Sequence, residues 1–244
     1  VFRHRALVWE MSRRELADMH AGQVAGVVWL VVHPLLLFVV YAFLFSVVFS
    51  VRIGDRGPAD YLIYLFSGLA PWLLTQEVMS RASNAILGSS TIVKKVSFPP
   101  EVLVAKTVLS SLIVQCALFG CVLVYIALFR HNFIFIIAFL PVVFLMHVIL
   151  LWGMSLLIAA VVPYFKDVKE IVRVFLSINI YLMPVVYAPG MVPDSLRFVL
   201  SLNPFSYLIW CYQDVLYSNA IEHPIAWIIL ALFSVATMAA GSYV

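Results

Sequence analysis

Two neighbouring stretches, Val102–Phe129 and Phe133–Val162, set the terms for the rest of the chain: the first holds one charged residue, Lys106, and the second holds none. At ~1.5 Å per residue, a helix of either length crosses a ~30 Å hydrocarbon core with some tilt. In lipid the main-chain N–H and C=O groups must be satisfied within the chain, and for runs this long that means helices. Four further apolar runs repeat the pattern: Val24–Ser50, Asp60–Ala82, Ile171–Ala188 and Pro224–Val244. The expected fold is an all-α polytopic membrane protein with six transmembrane helices. Composition agrees: 64% of the 244 residues are hydrophobic and 11% are charged, with mean hydropathy +1.07. A soluble domain of this length cannot hide so much apolar surface from water.

The net charge of +3 matters by position rather than as a nucleic-acid signal. With the N-terminus inside, Arg3, Arg5, Arg13, Arg14, Arg81, Lys94, Lys95, Lys106, Lys166, Lys169 and Arg173 fall on the cytoplasmic side. Only Arg52, Arg56, Arg130 and Arg197 fall outside. That bias orients the chain with both termini cytoplasmic. Residues 1–23 read as an amphipathic interface helix. Phe2, Ala6, Trp9 and Leu16 share one stripe, and Arg3, Glu10, Arg14 and Asp18 share another; a solvated N-terminal helix fits the same pattern. No cleavable leader is expected ahead of the first span, and one or both of the ends at Val1 and Val244 read as trimmed.

Two connections carry more information than the spans. The stretch Gly88–Glu101, GSSTIVKKVSFPPE, can form a short apolar-and-basic helix over Thr91–Val96. Pro99 then forces Phe98 out of helical geometry and Pro100 opens the next helix. Such a stub suits docking into a cytosolic partner, and a plain charged loop is the competing reading. Residues 189–223 hold two apolar segments, each too short to cross a membrane. Pro193 and Pro204 sit at first-turn positions, with Asn203 as an N-cap. They read as a re-entrant hairpin dipping into the outer leaflet, or as an amphipathic pair lying flat on it.

Catalytic signals are poor. The chain has no phosphate-binding GxxxxGK[ST] loop, no HExxH and no zinc-spaced Cys/His cluster. The ionisable residues in apolar surroundings are Glu77, Lys106, His33 and His147. Glu77 pairs with Arg81 one turn later, Lys106 can snorkel, His33-Pro34 marks a kink and His147 stands alone. Cys116, Cys121 and Cys211 read as small apolar residues. Aromatic stripes are more suggestive. Phe38, Tyr41, Phe45 and Phe49 share one face of the first span, and Ser177, Tyr181, Pro184 and Tyr187 share one face of the fifth. Trp72 stands beside Pro71 in the second. These faces can line a channel for sugar rings or serve as helix packing.

Three groups of residues together resemble the membrane subunit of ABC-2-type exporters, nearest to the permeases for O-antigen, related polysaccharides and teichoic acids. They are Tyr64–Trp72 (YLFSGLAPW), Ile92–Pro99 (IVKKVSFP), and Asn203–Tyr207 (NPFSY) with Gln213. The resemblance spans the whole chain as a single ABC-2-type domain: interface helix 1–23, spans one to five over 24–188, gate hairpin 189–223 and span six over 224–244. A short basic tail usual in the family is missing.

The resemblance implies a coupling helix built from Ser90, Thr91, Ile92, Val93, Lys94, Lys95, Val96 and Phe98. It implies a channel faced by Phe38, Tyr41, Phe45, Phe49, Trp72, Ser177, Tyr181 and Tyr187. An outer gate of Pro193, Asn203, Pro204, Phe205, Tyr207 and Gln213 completes it. It further implies a second copy of the chain, two copies of a separate cytoplasmic ATPase carrying the ATP and Mg, a lipid-linked glycan as cargo, and no catalytic residue, metal or cofactor on this chain. An exporter of a drug or other lipid-like molecule, a polytopic membrane transferase and an ion-driven carrier are the alternatives.

Overall fold

The computed structural model describes residues 5–19, 26–48, 58–88, 100–129, 134–187, 191–193, 195 and 197–243. Among them every regular element is helical: α1 (Arg5–Met19), α2 (Trp29–Ala42), α3 (Pro58–Gly88), α4 (Pro100–Phe129), α5 (Ile134–Val161), α6 (Val168–Asn179), α7 (Arg197–Leu202), α8 (Pro204–Gln213) and α9 (Pro224–Tyr243). A 3-10 turn, Gly26–Val28, leads into α2, and π-helical turns follow α2 at Phe43–Val48 and α8 at Asp214–Ser218. Residues Glu101–Phe129, Ile134–Val161 and Pro224–Tyr243 form helices long and apolar enough to cross a membrane. The chain is a membrane protein.

The centre of the molecule is α3. It packs against α4, α5, α6 and α8. Tyr61, Ile63, Leu65, Leu69, Ala70, Trp72 and Leu74 are fully buried around its circumference. A helix buried on all sides is apolar on all sides, which is why no single stripe marks it in the sequence. Pro71 lies within it, and polar side chains bond to main-chain carbonyls nearby. Gln115 of α4 donates to the Ala70 carbonyl at 2.6 Å, and the Ser67 hydroxyl donates to the Tyr64 carbonyl at 2.7 Å.

The pair α5 and α9 meets through glycine. A Cβ on Gly241 would come within 2.6 Å of the Gly153 carbonyl oxygen, and one on Gly153 would fall onto the main chain of Thr237 and Met238. Small residues let the two backbones touch where lipid supplies no hydrophobic drive between helices. The Ser234 hydroxyl adds a bond across the crossing to the Met146 carbonyl at 2.9 Å.

Two local expectations change. The fifth span is not one continuous helix over Ile171–Ala188. Helix α6 stops at Asn179, a 3-10 turn covers Ile180–Leu182, and Met183 is extended at φ −128°, ψ 156°. Met183 precedes Pro184, and a residue before proline is pushed out of helical geometry. In the first span, α2 is helical through His33 and Pro34, where a kink is expected, and the hydrogen bonding departs from the α pattern at Phe43–Val48. Finally, α7 begins at Arg197, so Pro193 does not open it, whereas Pro204 does occupy the first turn of α8.

Candidate functional site

Two polar constellations stand at opposite ends of α3, ~30 Å apart by the helical rise between Tyr61 and Arg81. The first joins three helices. Helix α1 lies against the start of α4, burying Val8 with Val102 and Ala105, while Met11 and Trp152 flank the contact. The buried face is Val8, Met11, Ser12 and Glu15, spaced three and four apart. Ala6 and Trp9, from the expected apolar stripe, face away from the rest of the protein, Trp9 at 51% exposure, and a different, part-polar face meets α3 and α4. The reason is that Ser12 and Glu15 find partners on α3 and α4. The Ser12 hydroxyl lies 2.8 Å from the Val8 carbonyl and 3.1 Å from the Lys106 carbonyl. Glu15 Oε1 lies 3.6 Å from Arg81 Nη1, and Glu15 Oε2 lies 3.4 Å from Lys106 Nζ. Arg81 Nε donates to Glu77 at 2.6 Å and its Nη1 donates to the Ser110 hydroxyl at 3.0 Å. The Glu77–Arg81 pair was legible one turn apart on α3. Lys106, expected to snorkel, is paired with Glu15.

At the other end, neutral side chains hold irregular main chain. The segment after α6 leaves carbonyls that no helix satisfies. Tyr61 donates its hydroxyl to the Val186 carbonyl at 2.6 Å. Tyr64 shares its hydroxyl proton between the Pro184 and Tyr187 carbonyls at 3.0 and 3.1 Å. Gln213 adds a second donor to Pro184 at 2.6 Å. Asn203 ties the segment to α8: its Nδ2 donates to Asn179 Oδ1 at 2.7 Å, and its Oδ1 accepts from the Phe205 amide as an N-cap at 3.1 Å. Gly68 makes room, because a Cβ there would sit 3.1 Å from Ile209 and 3.3 Å from the Val185 Cα.

A helix lying flat would keep one face bare. In α8, Phe205, Ser206, Leu208, Ile209, Cys211, Tyr212 and Gln213 are all buried.

Beyond α8, Asp214 is fully buried and uses both carboxylate oxygens. Oδ1 accepts from His223 Nδ1 at 2.8 Å, and Oδ2 accepts from the His223 amide and from Trp227 Nε1 at 3.1 and 3.0 Å. The His223 ring stacks on Trp210 with centroids 5.4 Å apart. The hydrogen bond to Asp214 raises the His223 pKa against the opposing effect of burial. Asp214, Glu222 and His223 bring potential metal-ligand atoms within 4.8 Å of one another. With both Asp214 oxygens already engaged, the arrangement is a clasp between the end of α8 and the start of α9.

The model for the family described as "ABC-2 type transporter" matches residues 6–217. The chain belongs to the ABC-2 type transporter family. It is similar to the O-antigen export system permease protein RfbA of Myxococcus xanthus, 26% identical over 244 residues, covering 99% of this chain and 92% of that one. A protein of the same name from Klebsiella pneumoniae is 24% identical over 221 residues, 87% of this chain and 81% of the relative.

In this ABC-2 chain the residues expected to matter fall into separate places. Ser90, Thr91, Ile92, Val93, Lys94, Lys95, Val96 and Phe98, and also Phe49, lie outside the described residues. Phe38 is buried and stacks on Phe66 with centroids 4.3 Å apart. Trp72 is enclosed within the protomer, edge-on to Phe205 at 5.7 Å. Tyr41 and Phe45 are partly buried. Ser177 and Tyr181 are exposed, and Tyr187 donates its hydroxyl to the Tyr181 carbonyl at 2.8 Å. Asn203, Pro204, Phe205 and Gln213 gather around the segment after α6, with Tyr207 anchoring α7 through the Ser201 carbonyl at 2.6 Å. Exposed Pro193 lies apart from them in sequence, between the end of that segment and α7.

Sequence reasoning left His147 standing alone and missed its partners. It bridges Thr75 Oγ1 at 3.0 Å and the Tyr212 hydroxyl at 3.1 Å. Thr75 donates onward to the Pro71 carbonyl at 2.9 Å, so the ring donates from Nε2 and accepts at Nδ1. A buried polar group satisfied on both sides is a packing element, and a partner 65 or 72 residues away leaves no local mark.

Proposed function

We propose that this chain is the permease subunit of an ATP-driven exporter moving a lipid-linked polysaccharide across the bacterial inner membrane. Two copies work with two copies of a separate cytoplasmic ATPase. The observation that carries the reading is the likeness, across nearly the whole chain, to relatives named as O-antigen export permeases. Its role is transport rather than catalysis. Six spans, with both termini cytoplasmic, follow from the apolar runs and the skew of basic residues. The burial of α8 and the side-chain capture of 184–187 support a re-entrant outer gate, since bare main chain is tolerated at membrane depth only where protein covers it. The residues Ser90–Phe98 are the coupling element between Gly88 and Pro100. Exposed Tyr181, in the 3-10 turn after α6, faces the channel with Tyr41 of α2. ATP-driven closure of the motors shifts the permease pair between two states, and the cargo must interact differently with each.

A polytopic membrane transferase is the less favoured alternative, since Glu77 is ion-paired and His147 is enclosed. An exporter of another lipid-like molecule is the second reading. It is favoured by an apolar hollow of about 360 Å³ bordered by Phe119, Gly120, Leu140, Pro141 and Phe144.

Co-expression with candidate ATPases and pull-down tests the assembly, with a two-plus-two complex expected; a self-sufficient monomer overturns the reading. Lys94→Glu with Lys95→Glu should abolish export while insertion persists. Replacing Tyr41 and Tyr181 by alanine should lower glycan export more than assembly; an equal fall in both makes them packing residues.

A further inference from the structure

We propose that Glu15 is a positioning residue that locks α1 to the ends of α3 and α4 flanking 89–99, so that the three helices move as one body. The exporter reading supplies the load that this body would transmit; the lock stands on geometry alone. Arg81 and Lys106 are cations on two different helices, each about a fifth exposed. Left to themselves they repel across a partly dry gap. Glu15 divides its two oxygens between them, one toward each. With Glu77 on the far side of Arg81, charges alternate in a row: Lys106, Glu15, Arg81, Glu77. Three of the four come from helices that bracket 89–99, and the one that closes the row comes from α1.

The details argue for a latch rather than a passive contact. Val8 and Met11 set α1 on α4, and the Ser12 hydroxyl fixes its height against the Lys106 carbonyl. Glu15 Oε2 has no hydrogen-bond partner although it is buried. It is held by charge at 3.4 Å and not by a directed bond. Attraction of that kind tolerates small displacements of the helices while opposing their separation. Gly88 and Pro100, the ends that deliver 89–99, lie on the two helices so joined.

The test is Glu15→Gln, which keeps shape and removes charge, in the full chain reconstituted with its ATPase. Hydrogen exchange of the α1 amides should accelerate while that of α9 stays as in the wild type. Polysaccharide exported per ATP hydrolysed should fall about tenfold, within the range of ordinary inter-site coupling, with the complex still assembling. Glu15→Asp should recover part of that ratio. Glu15→Gln combined with Lys106→Gln removes the uncompensated cation. If charge imbalance alone were the defect, this double variant would restore the ratio, and the proposal would be overturned. Unchanged α1 exchange, or an unchanged ratio, in Glu15→Gln overturns it too. If the wild-type chain binds no ATPase, the exporter reading falls, and the exchange experiment still judges the lock.

Discussion

The two ends of α3 solve the same problem with opposite chemistry. Near Gly88, helices from separate parts of the chain are held by a row of charges, Lys106, Glu15, Arg81 and Glu77. Near Pro58, irregular main chain is held by uncharged donors, Tyr61, Tyr64 and Gln213, each giving a proton to a carbonyl. Charges are affordable only where headgroups and water are near, because an ion at mid-bilayer costs ~2.5–3.5 kcal/mol on insertion scales. Neutral hydrogen bonds have the opposite virtue. They keep their strength where the surroundings are dry, and leaving a partner unmet there costs about 1–3 kcal/mol. One end is therefore sensitive to salt, and the other to the loss of a single hydroxyl or amide.

The strongest way to break the contrast is Gly68→Leu. Its side chain would displace Ile209 and Val185, costing about 1–3 kcal/mol or more. Thermal unfolding in detergent should show the loss at every salt concentration, and hydrogen exchange of α1 should stay as in the wild type. Next comes Tyr64→Phe with Gln213→Leu, which strips the Pro184 carbonyl of both side-chain donors. A loss of about 2 kcal/mol is expected, again independent of salt. Arg81→Met should cost about 1–2 kcal/mol at low ionic strength and less near 1 M salt, where the Debye length shrinks to ~3 Å. A salt-independent Arg81→Met penalty would erase the distinction between the two ends.

The smallest effect concerns the clasp. Because Asp214 raises the His223 pKa, the stabilisation from this pair is fully present below the ordinary histidine value near ~6.5. It fades as pH rises through the higher folded value. The stability gap between wild type and His223→Gln should be widest in mild acid and close in alkali, followed by unfolding over a pH series.

What the sequence disclosed was whatever depends on near neighbours. The apolar runs gave the helices, Asn203-Pro204 gave the cap and first turn of α8, and Glu77 with Arg81 gave a pair one helical turn apart. The protein-facing side of α1 was not legible, because an amphipathic pattern ranks faces by polarity, whereas Ser12 and Glu15 are drawn inward by partners on α3 and α4. The break after Asn179 was hinted at by Pro184, but the carbonyls it strands could be assigned to Tyr61, Tyr64 and Gln213 only once the chain was folded. The partners of His147 escaped for the same reason, since Thr75 and Tyr212 reach it from distant helices.

The contact between Gly153 and Gly241 has a consequence for where the molecule can flex. Backbones that already touch cannot slide past each other without a carbonyl colliding, so α5 and α9 form a fixed strut. Any change of shape during a working cycle has to be absorbed elsewhere, at joints whose hydrogen bonding already departs from the α pattern. Among the described residues, Phe43–Val48 and the turns after Asn179 are two such joints.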